Sequence, residues 1–464
     1  MRARLLKYWE LVRTSFWFLP LLMILSSVVL AFSAVRLDET VTDKWLRDRS
    51  WAYNGGAEGA SAVLGAIAGS MITIAGVVFS LTLVALSLAS SQFGPRLLRT
   101  FMRDTTNQAV LGTFVSTFLY CLLVLRTIRR ADELAFVPHL AVSLGVLFAF
   151  VSLCVLIYFI HHVSVSIQAD EIIARVGEEL LVGIDRLFPD QVGHCAGEKE
   201  VAGFPAAFER DACPVVSTGD GYLQIIDGAA LLSLAKDRDV YVRIERRPGD
   251  FVVHGTPLAT VWPGDAADDD FVDTLNMAFV LGSQRTPSQD IEFTIDQLVE
   301  IAARALSPGI NDPFTAITCV DRLGSALSKL ARRDMPSPYR YDSDDRLRII
   351  APRLTFEHIA DQAFDPIRRH ARSSAAVVSR LLQTIDVIAY ATHREHDRAV
   401  LRRHALLIAR SARHGVADAA DRRSVQARYK ATLAAIDEAT DRSEAEALKA
   451  ARLASEPPPR AEVI

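Results

Sequence analysis

Apolar residues in the first third of the chain form four long runs that carry almost no charged side chains. A helix needs about 20 apolar residues to cross the hydrocarbon core of a bilayer, and every run meets that length. Short polar segments separate the runs, as expected when ionised side chains are excluded from hydrocarbon. The pattern therefore predicts four transmembrane helices, at about residues 15–35, 62–91, 106–125 and 138–160.

The second apolar run is too long for one simple crossing. It extends over residues 59–95 without a charge, and as one helix it would reach about 55 Å. We expect it either to protrude from the bilayer or to break near residues 69–76 or 90–94. Its small residues include the GxxxG step of Gly65 and Gly69, which allows two helix backbones to approach closely. The candidates for a helix contact or a pore lining are Gly65, Gly69, Ser70, Thr73, Gly76 and Ser80.

After residue 160 the apolar positions become periodic instead of continuous. Residues 161–210 show helical spacing and predict an amphipathic helix and a connector. Short β-rich runs between Gly, Pro and Asp turns predict a small β module at residues 211–265. Helical spacing returns over residues 266–438, and residues 439–464 are predicted to form a disordered tail. The predicted fold is a mainly α polytopic membrane protein with four transmembrane helices, followed by a soluble α+β region with a helical C-terminal part.

Two prolines and a glycine interrupt the helical spacing at residues 307–313. One helix ends at Leu306, and Asp312 followed by Pro313 matches the N-cap and the first position of the next helix. This predicts the tight corner of a helical hairpin. Because a helix N-terminus can also hold an anion, a ligand site is the alternative. The candidates for such a ligand corner are Arg285, Asp290, Asn311 and Asp312.

Charge divides the chain into the same two parts. Residues 1–160 carry 14 basic and 9 acidic side chains, whereas residues 161–464 carry 37 and 46. Basic residues precede the first predicted span and follow the second, which favours cytoplasmic N- and C-termini, although the opposite side is hardly less basic. A cleaved signal peptide is the alternative for the first run. The basic residues that favour this orientation are Arg2, Arg4, Lys7, Arg13, Arg96, Arg99 and Arg103.

Motifs of known catalytic chemistry are missing from the sequence. It contains no nucleotide-binding loop, nucleophile elbow, HExxH motif or CxxC pair, so an enzyme is disfavoured. We predict no cofactor, no metal site and no nucleic-acid partner. The central parts of the four apolar runs carry no Asp, Glu, Lys or Arg, which argues against a pump or an ion-coupled carrier.

Three segments resemble a known family. They are SLTLVALSLASSQFGPRLLRTFMRD at 80–104, LGTFVSTFLYCLLVLR at 111–126 and QDIEFTIDQLVEIAARALSPGINDPFTAITCVDRL at 289–323. The resemblance is to a bacterial family of predicted membrane proteins catalogued as domain of unknown function 2254, and it spans roughly residues 10–415. It implies a multi-pass protein of the bacterial inner membrane with a C-terminal soluble region. It implies no activity, cofactor or catalytic residue.

Two functions from different classes remain, of which we predict the first, a homo-oligomeric passive channel or pore, and keep the second as the alternative. In the first, the small-residue faces of several copies enclose a passive channel, and the soluble part forms a cytoplasmic vestibule. Uncharged hydroxyl groups in the second run fit such a pore. In the second, the membrane part anchors a cytoplasmic sensor or scaffold that binds a small molecule or a protein. The expected partners are the lipid bilayer and, for the channel, further copies of the chain.

Overall fold

The computed structural model describes residues 17–40, 55–94, 104–129, 136–188 and 207–455. The chain divides into two compact units, a membrane unit up to Glu171 and a soluble unit from Ile172 onward. Of the basic residues that favour cytoplasmic termini, all seven lie outside the described residues, so the predicted orientation stays a prediction.

Four helices of the membrane unit are long and apolar enough to cross a bilayer. The second is one unbroken helix of 37 residues, so it does not break near residues 69–76 or at Ser90 and Ser91, and it ends at Gly94, the last of the predicted break positions. The fourth continues six residues beyond the predicted end at residue 160. The predicted class, with four spanning helices ahead of a mixed soluble region, is confirmed. The helices are α1 (Phe18–Thr40), α2 (Ala57–Phe93), α3 (Thr105–Leu125) and α4 (His139–Ser166).

Helix α3 lies at the centre of the membrane unit and packs against α1, α2 and α4. Its side chains Phe114 and Tyr120 are completely buried. The Tyr120 hydroxyl donates a hydrogen bond to the Ala141 carbonyl at 3.0 Å, and the hydroxyls of Thr117 and Ser152 lie 3.3 Å apart. Hydrogen bonds between helices matter in a bilayer, where polar groups have no water to bind. The polar contacts of α3 therefore join it to α4.

Two glycines outside α2 permit the closest helix approaches. A Cβ atom on Gly112 of α3 would lie 2.6 Å from the Met23 sulfur and 3.2 Å from the Pro20 Cα. A Cβ atom on Gly145 of α4 would lie 2.9 Å from a methyl group of Leu64. The distances of 2.6 and 2.9 Å are shorter than real Cβ contacts, so larger residues would separate the helices. The bundle therefore depends on single small residues on α3 and α4.

Replacing Gly112 by valine should destabilise the membrane unit by about 1–3 kcal/mol, because the new side chain overlaps Pro20 and Met23 of α1. The matched control is Gly69→Val on α2, where a Cβ meets no atom within 4 Å in the described part of the chain. Unfolding of the full-length protein in mixed detergent micelles measures both variants. Equal losses for Gly112→Val and Gly69→Val would contradict the assignment of the α1–α3 contact to Gly112.

A carboxylate near the end of α1 caps the start of α4. The two Asp38 oxygens accept hydrogen bonds from the main-chain N–H groups of Leu140 and Ala141, both at 2.9 Å. Asp38 is buried, although it lies only two residues before the end of its helix. The first N–H groups of a helix have no partner within the helix, and they carry partial positive charge. Asp38 therefore links α1 to α4, because its carboxylate supplies both hydrogen-bond acceptors and a negative charge to the start of α4.

At the start of α3, Asp104 makes a similar link to the end of α4. Its carboxylate accepts a hydrogen bond from the Thr106 N–H at 2.9 Å and lies 2.7 Å from the His162 ring nitrogen. Asp104 is thus both the N-cap of α3 and the partner of a side chain on α4. The α3–α4 pair is joined by this contact as well as by the hydrogen bonds between their interiors.

The soluble unit contains two small sheets. A five-stranded sheet has the order β1-β5-β3-β8-β7, and a three-stranded sheet has the order β4-β2-β6. Strand β8 lies parallel to β3, and the other neighbours are antiparallel. The described strands are β1 (Cys213–Val216), β2 (Gly221–Ile226), β3 (Tyr241–Ile244), β4 (Phe251–Val252), β5 (Pro257–Trp262), β6 (Phe279–Gly282), β7 (Tyr339–Tyr341) and β8 (Leu347–Ile350).

Strands β6, β7 and β8 lie outside residues 211–265, where the sequence predicts the β module. Because β8 pairs in parallel with β3, the chain must cross over between them, and helices as well as four further strands lie in this crossover. A local sequence pattern does not reveal that strands about 100 residues apart share a sheet. The β module is therefore built from a longer stretch of chain than the run that suggested it.

Helices surround the sheets and form the rest of the soluble unit. The last helix continues through residue 439, where the tail is predicted to begin, because its buried residues Thr432 and Ile436 pack within the helical layer. Positions 456–464 lie outside the described residues. The helices are α5 (Ala169–Leu187), α6 (Phe208–Asp211), α7 (Gly228–Asp237), α8 (Asp269–Ala278), α9 (Ile291–Ala305), α10 (Pro313–Ala331), α11 (Phe356–Ala371), α12 (Ala375–Ala391), α13 (Glu395–Gly415) and α14 (Ala419–Ser455).

The corner between α9 and α10 has the predicted form. The Asp312 side chain accepts hydrogen bonds from the N–H groups of Phe314 and Thr315, both at 3.1 Å, and Pro313 occupies the first helical position. Asn311 adopts a left-handed backbone with φ of 50°, a conformation that asparagine tolerates better than most residues. The helical hairpin predicted at residues 307–313 is confirmed.

Candidate functional site

A cavity of about 490 Å³ opens in the soluble unit between the five-stranded sheet and the first turns of α7 and α9. Its floor is largely apolar, and three arginines reach its lining. Ligand cavities of this size range hold small molecules, usually with an apolar lining and a few placed polar groups. The lining residues that carry the argument below are Leu232, Ile244, Arg246, Arg247, Arg340 and Ile349.

Strand alternation explains why arginines reach an apolar cavity. Successive side chains of a strand point to opposite faces of the sheet, so Arg246 follows Ile244 on the same side. Across the sheet, Arg340 of β7 lies directly opposite Ile349 of β8. Directly paired residues share a face. Arg246 and Arg340 therefore project from the face that also supplies Ile244 and Ile349 to the floor.

The mouth of the cavity is formed partly by the first residues of α7 and α9. Gln289 fixes these two helix starts to each other, because its side chain exchanges hydrogen bonds with the main chain of Ile226, at 2.9 Å to the N–H and 3.2 Å to the carbonyl. Ile226 ends β2 immediately before the N-cap of α7. The N-termini of helices carry partial positive charge, which the N-cap carboxylates of Asp227 and Asp290 satisfy here.

The two carboxylates of the lining are already paired. Asp290 receives a two-point ion pair from Arg285, with distances of 2.8 and 3.0 Å. Glu292 lies 2.5 Å from the His358 ring nitrogen and 3.7 Å from the Arg247 guanidinium. Among the lining arginines, this leaves Arg246 and Arg340 without an ion pair within the described residues. The cavity therefore presents more unpaired positive than negative charge.

The ion pair of Arg285 is a buried junction below the cavity. The Asp290 side chain is 1% exposed, caps α9 through the Phe293 N–H at 3.0 Å, and holds one edge of the guanidinium. Asp296 holds Arg285 from the next turn of α9 at 2.7 Å, and Gln362 of α11 donates to Asp296 at 2.7 Å. The junction thus connects the segment before α9, α9 itself and α11. The charged groups of Arg285, Asp290 and Asp296 pair with one another, which is the arrangement of a structural element.

A second buried ion pair supports the hairpin of β7 and β8, which carries Arg340. The Arg348 guanidinium donates to Asp342 at 2.7 Å and to Asp239 at 2.6 Å. The hydrogen bond from Arg348, followed by main-chain N–H groups of Arg346 and Asp344, lowers the pKa of Asp342 from its ordinary 3.8 to about 2. Asp342 is therefore ionised throughout the neutral range.

This pKa predicts an acid-dependent loss of stability. Because folding lowers the pKa of Asp342, its contribution is complete above about pH 4 and is lost as the pH falls towards about 2. Asp342→Asn should thus be less stable than the unmodified protein at neutral pH, and the difference should shrink below about pH 4. Denaturant unfolding of the full-length chain at a series of pH values measures this. A difference that stays constant down to about pH 2 would contradict the ion pair.

The four residues predicted to form a ligand corner fall into two places. Arg285 and Asp290 form the buried junction at the start of α9, whereas Asn311 and Asp312 lie beyond its end. Since α9 has 15 residues, the two pairs are separated by about 22 Å along the helix axis. They do not form one site. Arg285 and Asp290 adjoin the cavity, and Asn311 and Asp312 make the hairpin corner.

Comparison with known proteins places the sequence in a family. The family model described as "Predicted membrane protein (DUF2254)" matches residues 13–386. The chain belongs to this family. The curated relatives include the uncharacterized protein Mb1321c of Mycobacterium bovis and the uncharacterized protein Rv1290c of Mycobacterium tuberculosis, each 36% identical over 80% of this chain and 72% of the relative. No solved structure matches the chain.

The predicted candidates on α2 of this DUF2254 chain share one exposed face. A Cβ atom added to Gly65, Gly69 or Gly76 would have no atom of another described residue within 4 Å. The opposite face of α2 makes the contacts to α3 and α4. The exposed candidates are Gly65, Gly69, Ser70, Thr73, Gly76 and Ser80. The buried contact residues are Ala60, Leu64, Ala68, Met71, Ala75 and Val78.

Two of the hydroxyl groups on that face bond to their own helix. Ser70 donates to the Ala66 carbonyl at 2.8 Å, and Thr73 donates to the Gly69 carbonyl at 2.9 Å. Such bonds satisfy a hydroxyl in hydrocarbon without a partner helix. A role for these residues towards lipid, a pore or another copy stays a prediction.

The arginines of the cavity do not appear among the predicted site residues. Arg246 and Arg340 lie in segments that the sequence shows only as short β-rich runs, YVRIERR and YRY. The first run does indicate Arg246, because the alternation of side chains from Ile244 onward puts Arg246 on the buried face of the sheet. No three His, Cys, Asp or Glu side chains in the described ranges are arranged to hold a metal ion.

Proposed function

We propose that this protein is a membrane-anchored binding protein, whose soluble unit takes a small molecule with a largely apolar body into the cavity of about 490 Å³. The observation that carries the proposal is the apolar floor formed by Leu232, Ile244 and Ile349 beneath an open mouth. An apolar concavity with a few polar groups is the usual form of a small-molecule site. The membrane unit serves as the anchor.

The chemistry of the lining supports binding more than catalysis. Asp290 is held by Arg285, and Glu292 by His358 and Arg247, so both carboxylates of the lining have cationic partners. A general base needs a lone pair directed at its substrate. These ion pairs instead fix the walls of the cavity. We therefore propose a sensor or carrier of its ligand.

The test fills the mouth of the cavity with a large side chain. Full-length protein in nanodiscs of zwitterionic lipid is titrated calorimetrically with 1-octanol, with empty nanodiscs as the blank. Ala229 lines the cavity in the first turn of α7, and Ala229→Trp should weaken octanol binding about tenfold or more. Ala230→Trp, at the next exposed position of the same helix, is the matched control. No saturable binding to the unmodified protein, or equal binding by both variants, would refute the proposal.

A passive homo-oligomeric pore is the second candidate function. The observation in its favour is that α2 exposes a face rich in small residues and hydroxyls, including Gly65, Gly69 and Gly76. Several copies could enclose a path with this face. Unitary currents in planar bilayers that Gly69→Leu alters, together with an oligomeric mass in detergent, would support the pore. A monomer without conductance would refute it.

We also propose the bacterial inner membrane as the location, with both termini in the cytoplasm. The basic residues before the first span and after the second support this orientation. Fusion of reporter enzymes to each terminus tests it, because alkaline phosphatase folds only outside the cytoplasm. An active phosphatase fusion at either end would refute the orientation.

A further inference from the structure

We infer that the ligand of this cavity is an anionic amphiphile, with its alkyl part on the apolar floor and a carboxylate or phosphate group at Arg246 and Arg340. The inference rests on the proposed function and names the class of molecule that the site would take. The observations that carry it are the positions, partners and surroundings of the two arginines. None of them follows from the cavity's size.

Of the two arginines, Arg246 gives the stronger argument for an anionic ligand. Its Nε–H is buried and has no hydrogen-bond partner among the described residues. The adjacent Glu245 does not supply one, because it turns to the other face of the sheet and binds Arg243 at 2.8 Å and Thr260 at 2.6 Å. A buried donor without a partner costs free energy. Arg246 lines the cavity, so a turn of its side chain towards a bound anion would give this donor an acceptor.

Arg340 supplies a second cation at the mouth. Its Nη1 donates to the main-chain carbonyls of Ser337 and Tyr339, so carbonyl oxygens hold the guanidinium and leave its charge uncompensated. Partial burial of this group lowers the pKa of Arg340, but an arginine stays protonated at neutral pH. Arg340 lies opposite Ile349, which is part of the floor. The charge and the apolar surface are therefore neighbours.

The type of cation narrows the ligand class. A guanidinium presents a planar fork of donors that matches the oxygens of a carboxylate or a phosphate. The lining carboxylates Asp290 and Glu292 are paired with the guanidinium groups of Arg285 and Arg247. A cationic ligand would be repelled by the two arginines. A purely apolar ligand would leave both of them without an anionic partner. An alkyl chain with one anionic end satisfies both parts of the surface.

The test compares three probes of equal chain length on the full-length protein in zwitterionic nanodiscs: octanoate, octyl phosphate and the neutral 1-octanol. We expect octanoate or octyl phosphate to bind about 10- to 100-fold more tightly than octanol, the range of a charge-assisted hydrogen bond. In the double variant Arg246→Gln, Arg340→Gln, the preference for the anions over octanol should disappear, while the affinity for octanol remains. Arg243→Gln is the matched control, because Arg243 lies on β3 with its charge on the opposite face.

Each outcome decides one proposal. Octanol binding that Ala229→Trp abolishes, without any preference for the anions, would overturn the amphiphile and keep the cavity as a binding site. An anion preference that survives the double variant, or that Arg243→Gln removes equally, would overturn the role of Arg246 and Arg340. Failure of all three probes would refute the proposed function itself. Retained octanol binding in the double variant also shows that the cavity remains folded, and Arg340→Gln alone repeats the test at an exposed position.

Discussion

Arg285→Leu is expected to destabilise the soluble unit by about 3–5 kcal/mol, because it leaves the buried carboxylate of Asp290 without its cation. Asp290 keeps its hydrogen bond to the N–H of Phe293, but a carboxylate that is 1% exposed needs a positive partner. The start of α9 should therefore loosen first. The loss of stability is measured by unfolding the full-length protein in denaturant and detecting the unfolded fraction by protease cleavage within the soluble unit.

The matched control is Arg304→Leu near the end of the same helix. Arg304 makes a partly exposed pair with Glu300 one turn away at 3.5 Å, and such helix pairs are worth about 0.5 kcal/mol. Asp290→Asn should restore part of the stability of Arg285→Leu, since it removes the unpaired charge and retains an oxygen for the helix cap. Equal effects at Arg285 and Arg304, or no recovery in the double variant, would contradict a buried ion pair.

Asp38→Ala is expected to destabilise the membrane unit by about 2–4 kcal/mol. The change leaves the N–H groups of Leu140 and Ala141 without the two carboxylate oxygens, and hydrogen bonds to charged groups are among the stronger ones. The α1–α4 contact should weaken, and the start of α4 should fray. Unfolding in mixed micelles of dodecyl sulfate, monitored by helical circular dichroism, measures the effect.

Two further variants distinguish a helix cap from a general charge effect. Asp38→Asn keeps one acceptor oxygen and should recover about half of the loss. Glu39→Ala removes the neighbouring carboxylate, which is exposed and, among the described residues, pairs with the exposed Arg36, and it should change stability by less than about 0.5 kcal/mol. If Glu39→Ala cost as much as Asp38→Ala, the cap would not be the cause.

Asp38 also illustrates a limit of sequence analysis. It lies 102 residues before Leu140, and nothing in the local pattern around Asp38 indicates a partner. At the boundary of an apolar run, an aspartate reads as an ordinary interfacial charge. The corner at Asp312 is different, because the cap and the groups that it binds lie within three residues. Short-range hydrogen bonds leave a signature in the sequence, and long-range ones do not.

The candidate site shows the same division. Arg285 and Asp290 were accessible to sequence analysis because they precede a helix with a clear N-cap pattern, yet their pairing with each other needed the fold. Arg340 lies in β7 and Arg246 two residues after β3, and β8 joins these two strands into one sheet. The cavity that they line exists only after that sheet has formed. The sequence of one segment alone therefore does not indicate the cavity.

Helix α2 separates the two kinds of information within one element. Its length, apolarity and membrane location are properties of each residue summed over a window, so the printed chain is enough to establish them, as it is for the other three spans and the α9–α10 corner. Which face of α2 meets its neighbours depends on side chains far away in sequence. The packed structure alone shows Leu64 against Gly145, with Gly65 and Gly69 turned outward, because steric fit is a property of pairs of surfaces.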